Sequence, residues 1–233
     1  MKDAVRGILG RLGLLESAHA LRARLPFLSP PGVMKFPTFD RDIQRAAVST
    51  GDYARYASLA LALRRIESDA IAGALAEVGV YRGATSRFIL RCAPRRALYL
   101  FDTFEGFPLE DREAANREDE RFRDTREEDV RAVLGDASNV VIRRGRFPET
   151  AAGLEAERWA LVLLDLDVFP PTLAGLEFFY PRLARGGYLF VHDYNSPESN
   201  SACGRAVTQY MAGRPEQIVE LPDTWGSVVI RKS

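Results

Sequence analysis

The chain has 233 residues, 46% hydrophobic and 27% charged, the size and balance of one substantial globular domain. Lys plus Arg and Asp plus Glu both number 32, so the formal net charge is zero. Wholesale disorder, a collagen-like repeat and a disulfide mini-scaffold are excluded, and without a basic excess a small molecule is the expected partner, not a nucleic acid.

The N-terminal segment from Val5 to Leu25 repeats apolar residues at helical spacing (Ile8, Leu9, Leu12, Leu15, Leu21, Leu25) with arginines on the other face. It reads as an amphipathic helix packed on its own domain or on a dimer partner in preference to a membrane surface. Charges every few residues break any signal-peptide core, and no apolar run approaches the roughly 20 residues of a membrane span. Cys92 and Cys203 lie far apart, outside any CxxC or Cys/His cluster, which argues against structural zinc and fits a reducing, cytoplasmic setting. Ser29-Pro30-Pro31-Gly32 breaks the chain, Lys35 to Thr50 reads as irregular, and Asp52 to Ile66 reads as a second amphipathic helix.

After Gly73 short apolar runs alternate with helical segments. The runs are Leu75–Val80, Ala97–Phe101, Val140–Ile142, Ala160–Leu164 and Tyr188–Val191; helical patterns include Ala84–Cys92, Val130–Leu134 and Leu173–Leu183. Continuous hydrophobicity predicts strands buried on both faces, and their alternation with helices predicts a doubly wound α/β sheet. Gln217–Leu221 and Ser227–Ile230 predict a terminal β-hairpin. Between Glu105 and Asp129 the chain is crowded with charge: a solvated loop or exposed helix, or a mobile lid inserted after the second strand.

In such sheets ligands bind beyond the carboxyl ends of the strands. The first run leads into Glu77-Val-Gly79-Val-Tyr81-Arg-Gly83-Ala-Thr85-Ser86, a turn whose glycines admit a ligand to the backbone and whose hydroxyls stand at a helix N-terminus. This is not GxGxxG, which counts against a dinucleotide. The second run ends at Asp102, followed by Thr103; a carboxylate there can accept both hydroxyls of a ribose, which favours an adenosine-containing ligand. The fourth and fifth runs end in Asp165-Leu-Asp167 and His192-Asp193. Converging strand-end carboxylates suit Mg²⁺, although Asp165 and Asp167 face the same way only if the strand continues.

Taken together, AEVGVYRGATS (76–86), LYLFDTFEGFP (98–108), RRGRFPET (143–150), LLDLDVFPPTLAGLEFFYPRLARGGYLFVHDYNS (163–196) and CGRAV (203–207) resemble the macrocin O-methyltransferase (TylF/MycF-type) family of class I S-adenosylmethionine-dependent enzymes. The resemblance implies a Rossmann-like sheet of seven strands, the last antiparallel, over 71–233; the patterning of the chain itself makes 1–70 an N-terminal helical extension and 105–129 a lid-like insertion. It implies that Glu77, Gly79 and Gly83 face the methionine part of the cofactor, with Tyr81, Thr85, Ser86 and Thr103 completing the site and Asp102 holding the ribose. On that reading Gly79→Val removes cofactor binding by filling its space. Family members methylate a sugar hydroxyl, often on a natural product, with Mg²⁺. Their metal ligands correspond to Asp165 and Asp167 and to His192 and Asp193.

His192 departs from the family, which has an aspartate there. Imidazole is a poor ligand for Mg²⁺, a better one for Mn²⁺, Fe²⁺ or Zn²⁺, and a general base near neutral pH. The expected activity is therefore O-methylation of a sugar or glycosylated natural product, with Asp165, Asp167 and His192 as catalytic candidates. The hydroxyl proton is removed with help from a divalent cation, from His192, or both. Other readings are a cofactor-binding protein that scaffolds a biosynthetic partner without catalysis, and a nicotinamide or nucleotide-sugar enzyme. Acceptor contacts are expected from the N-terminal segment and the charged insertion.

Overall fold

A computed structural model describes residues 40–113 and 117–233. The expected helix over Val5–Leu25 and the breaker at Ser29–Gly32 lie outside the described residues. The chain divides into two compact units, 1–53 and 54–233. In the first, helix α1 (Arg41–Ser49) stands where the sequence reads as irregular. Its first turn is fixed by the Asp40 carboxylate, which accepts the Asp42 N–H at 2.7 Å.

Helix α2 (Tyr53–Ser68) leads into the second unit and buries Leu59, Ala62, Leu63 and Ile66. There follow β1 (Ala74–Val78), α3 (Ala84–Cys92), β2 (Leu98–Asp102), α4 (Glu127–Leu134), β3 (Val140–Arg144) and β4 (Trp159–Leu164). After them come α5 (Phe169–Phe179), β5 (Leu183–Val191), α6 (Ala202–Met211), β6 (Val219–Leu221) and β7 (Ser227–Arg231). The seven strands form one sheet in the order β3-β2-β1-β4-β5-β7-β6. The first five are parallel; β7 runs antiparallel to β5 and closes the expected hairpin with β6.

Every residue of β1 and β4 is buried, as the unbroken apolar runs require. An aromatic cluster of Phe101, Phe147, Trp159 and Phe179 fills one side of the sheet, with ring centroids 5.1–5.9 Å apart in their edge contacts. Helix α5 begins four residues earlier than the apolar periodicity suggests, because Pro170 and Pro171 fit its first turn. A 3₁₀ turn over Tyr180–Arg182 then carries the chain into β5.

The strand order reverses between β1 and β4: the chain runs outward through β2 and β3, returns to β4 and continues through β5. The crevice beyond the ends of β1 and β4, at Val78 and Leu164, is thus the expected ligand position. Among the described residues of the charged insertion, the regular structure is a 3₁₀ turn (Leu109–Asp111) and the start of α4. The rest is held by side chains. Arg112, with its side chain 1% exposed, donates to the carbonyls of Phe107 and Arg117 and pairs with Glu120. Arg146 grips the buried Asp111.

Candidate active site

A cavity of about 530 Å³ opens at this switch point, within the size range of small-molecule sites. Its walls come from the loops after β1, β2, β3, β4 and β5, the charged insertion, α2 and the turn before β7. All of the sequence-predicted site residues except Gly83 and Ser86 line it. Their arrangement differs in several places from the sequence expectation.

The turn after β1 is fixed from inside the protein. Gly79 has φ +88°, and a Cβ there would lie 1.8 Å from the backbone oxygen of Asp165. Glycine is thus already required by the approach of the Asp165 backbone just beyond β4, whatever space a cofactor also takes. Asp102 holds the same turn: one oxygen accepts the N–H groups of Val80 (2.6 Å) and Tyr81 (2.9 Å), the other that of Phe104 (2.7 Å). A carboxylate has about four lone-pair sites, which leaves one for a ribose hydroxyl where the sequence reading expected two hydroxyls to be accepted. Gly83, at φ +75°, caps α3.

The hydroxyls of this region already have partners. Ser86 donates to the fully buried Glu77, Thr85 lies 2.8 Å from the Tyr56 hydroxyl of α2, and Thr103 donates to the Gly106 carbonyl at 2.7 Å. Burial pushes the Glu77 carboxyl up to about 8. The Tyr81 ring turns toward the insertion, where its hydroxyl donates to Asp124 at 3.0 Å.

At the ends of β4 and β5 the carboxylates do converge. His192 Nδ1 lies 3.1 Å from Asp165 and 2.9 Å from Asp193. One ligand atom from each of these three residues falls within 4.8 Å of the others. Asp167 stands outside that trio. β4 ends at Leu164, and Asp167 sits at φ +59°, so its carboxyl takes a separate direction and lies 3.6 Å from Arg121. Burial and the neighbouring Asp193 and Asp165 raise Asp167 to about 8. Burial would also raise Asp165, but Arg55 and His192 outweigh it and hold that carboxyl below the usual range. Burial would lower His192, yet the facing Asp165 and Asp193 carry it up to about 10 rather than the near-neutral value of a free imidazole. Its Nε2 is buried without a hydrogen-bond partner.

Arg55 is the site residue that motif reading missed. It donates to the second oxygen of Asp165 while 9% exposed. A signal was present: Arg55 falls on the same stripe of α2 as the buried Leu59, Ala62 and Ile66, a charge where the helical period calls for an apolar side chain. Arg121 was also missed; it joins the insertion to Asp167 and to Glu198. No helix of the described residues is long and apolar enough to cross a membrane.

The chain is 31% identical over 190 residues to 8-demethyl-8-(2,3-dimethoxy-alpha-L-rhamnosyl)-tetracenomycin-C 4'-O-methyltransferase of Streptomyces olivaceus, covering 73% of this chain and 70% of that one. It is 26% identical to mycinamicin III 3''-O-methyltransferase of Micromonospora griseorubida, over 77% and 81% of the two chains. Among solved structures it is similar to the O-methyltransferase NovP, with a TM-score of 0.64 and 25% identity over 78% of this chain and 80% of that one. The description of macrocin-O-methyltransferases (TylF) matches residues 37–221, which contain every cavity-lining residue discussed above and the sheet through β6. With fold, strand order and sequence in agreement over most of its length, the chain is an O-methyltransferase and belongs to the macrocin O-methyltransferase (TylF) family.

Proposed function

We infer that the chain methylates a hydroxyl of a sugar carried by a natural product, with S-adenosylmethionine as donor. The observation that carries this reading is the junction of two half-sites in one cavity: the glycine turn held by Asp102, and the Asp165–His192–Asp193 cluster at the ends of the next two strands. Two relatives are named for transfer to a sugar-bearing product, which supports the acceptor class.

The residues present fit the donor. The turn at Gly79–Gly83 offers backbone at the switch point, the buried Glu77 carboxyl suits an α-ammonium group, and Asp102 keeps one acceptor site for a ribose hydroxyl. S-Adenosylmethionine bound there supplies a methyl group on a positively charged sulfur. The O–CH₃ bond forms as the S–CH₃ bond breaks, and the hydroxyl proton leaves to a base. Holding the acceptor oxygen in line with the methyl supplies much of the rate. The polar cluster supplies the rest by receiving the proton or stabilising the alkoxide.

Asp165, His192 and Asp193 also fit a divalent cation in number and spacing. One nitrogen among oxygen donors suits Mn²⁺, Fe²⁺ or Zn²⁺ better than Mg²⁺. A cation held by these three residues would polarise the acceptor hydroxyl. In its absence a proton on His192 Nδ1 satisfies the same two carboxylates, so proton and cation compete for one place and cation affinity rises with pH. Without a cation the two carboxylates keep the imidazole protonated, so His192 would have to lose the proton of its buried Nε2 before it could take one from an acceptor hydroxyl.

Calorimetry with S-adenosylhomocysteine and NAD, followed by turnover of rhamnosylated acceptors in EDTA and with Mn²⁺ or Mg²⁺, tests the reading. The expected result is binding of S-adenosylhomocysteine alone and turnover that EDTA removes and Mn²⁺ restores. Full turnover in EDTA excludes a required cation and leaves the proton to the side chains of the cluster. Preference for NAD overturns the methyl-transfer reading.

A further inference from the structure

The turn before β7 presents Trp225 in an unusual setting. Trp225 is 41% exposed and sits at φ +62°, a conformation that a bulky L residue rarely adopts. The turn is tightly built around it. The Trp225 carbonyl accepts the Asn195 N–H at 2.9 Å, the Gly226 carbonyl accepts the Tyr194 N–H at 2.9 Å, and the Asp223 carboxylate accepts the Ser227 N–H at 2.5 Å. A large apolar ring is therefore held in a strained backbone, partly in water, where glycine would be the unstrained choice.

Trp225 lines the same cavity as His192 and Asp193, and its turn is bonded to the residues that follow them. Strand order gives its place along the cavity. Asp102 closes β2, the Glu77–Gly79 turn follows β1, the polar cluster ends β4 and β5, and Trp225 precedes β7. Trp225 thus stands on the far side of the cluster from the donor turn, where an acceptor must lie to present its oxygen to the methyl group.

We propose that Trp225 is the platform on which the acceptor sugar stacks, and so a specificity-determining residue. The inference rests on the reading of the acceptor as a glycosylated molecule. The negative face of an indole attracts the weakly positive C–H groups on one face of a pyranose, and the ring excludes water from them without occupying the hydroxyls that must react. A deoxysugar such as a rhamnoside adds a methyl group to that apolar face. Exposure and strain follow from this use: the ring is left uncovered because its partner is a ligand, and the turn aims it.

The test uses the full chain saturated with S-adenosylhomocysteine and methyl α-L-rhamnopyranoside as the sugar probe, with binding followed by saturation-transfer NMR. Trp225→Phe should bind the probe nearly as tightly as the wild type. Trp225→Ala should bind it about 2- to 12-fold more weakly, the range corresponding to an aromatic stacking contact. S-Adenosylhomocysteine affinity should be unchanged in both. Trp225→Gly should hold or raise Tm while weakening the probe to the same extent as Trp225→Ala, a combination that a structural role for the ring does not produce. Wild-type affinity for the probe in Trp225→Ala overturns the proposal. So does a wild type saturated with S-adenosylhomocysteine that shows no saturation transfer to the rhamnoside, or an alanine variant that loses S-adenosylhomocysteine instead, which would make Trp225 an adenine platform. Failure of the wild type to bind S-adenosylhomocysteine at all sinks the methyl-transfer reading and is seen separately.

Discussion

At the scale of single residues, Arg55 shows how a buried charge is made tolerable. The guanidinium costs desolvation energy, and one oxygen of Asp165 compensates it while the other faces His192. Removing one partner leaves the other charge exposed to the low-dielectric interior. Arg55→Met should therefore destabilise the fold by about 3 kcal/mol, the lower end of the range for a broken buried pair, since Asp165 keeps some solvent. Arg55→Met combined with Asp165→Asn should cost less than the sum of the single changes, measured in urea as a double-mutant cycle. Additive costs would show that the pair does not couple.

Glu216 supplies the pH-dependent counterpart, far from the cavity. Its carboxylate accepts from the Tyr180 hydroxyl and from the Ser233 N–H and hydroxyl, and Lys232 lies 3.3 Å away. The Tyr180 hydrogen bond, with Ser233, outweighs burial and holds this carboxyl down to about 2. A depressed folded pKa stabilises the protein above the unfolded value, about 4.3 for glutamate, and that contribution is lost as pH falls through about 2. Glu216→Gln should therefore lower stability by roughly 1–3 kcal/mol at pH 7, with the gap to wild type closing between pH 4 and 2. A gap independent of pH in that window would assign the loss to packing instead.

At the scale of elements, two connections carry the site. The first is the turn after β1. Gly79→Ala places a Cβ against the Asp165 carbonyl, so β1 and β4 cannot keep their register. The expected outcome is an insoluble or unfolded product, not a folded protein with weakened cofactor affinity; circular dichroism of the purified variant separates the two. The second is the charged insertion. Its order comes from Arg112 satisfying backbone carbonyls and from ion pairs to the body, not from regular secondary structure. Arg112→Ala should free those carbonyls and speed proteolytic cleavage within 105–129 several-fold, with Tm changed little. Saturating S-adenosylhomocysteine and acceptor should slow the same cleavage in the wild type if the insertion closes over bound ligand.

The whole molecule divides into what the chain states locally and what only its folding brings together. Composition and the alternation of short apolar runs with helical segments were enough for a doubly wound sheet, because strands buried on both faces have no polar face to show. The strand-end positions of Asp102, Asp165 and His192 were legible for the same reason: a polar residue that ends a buried apolar run must lie where the strand leaves the core, at its carboxyl end. The helix over Arg41–Ser49 was not legible, since its start rests on one Asp40 cap and its sequence carries few apolar residues. Local periodicity could not show that Asp167 diverges from Asp165, that Gly79 is demanded by β4, or that Asp102 spends three of its acceptor sites on backbone N–H groups. Each depends on the distance between segments tens of residues apart, which the strand order fixes and the sequence leaves unstated. Arg55 and Trp225 belong to the same class. One is a charge on an apolar stripe and the other an aromatic in a turn, and they became parts of a site only when the packing of α2 and β7 set both beside the ends of β4 and β5.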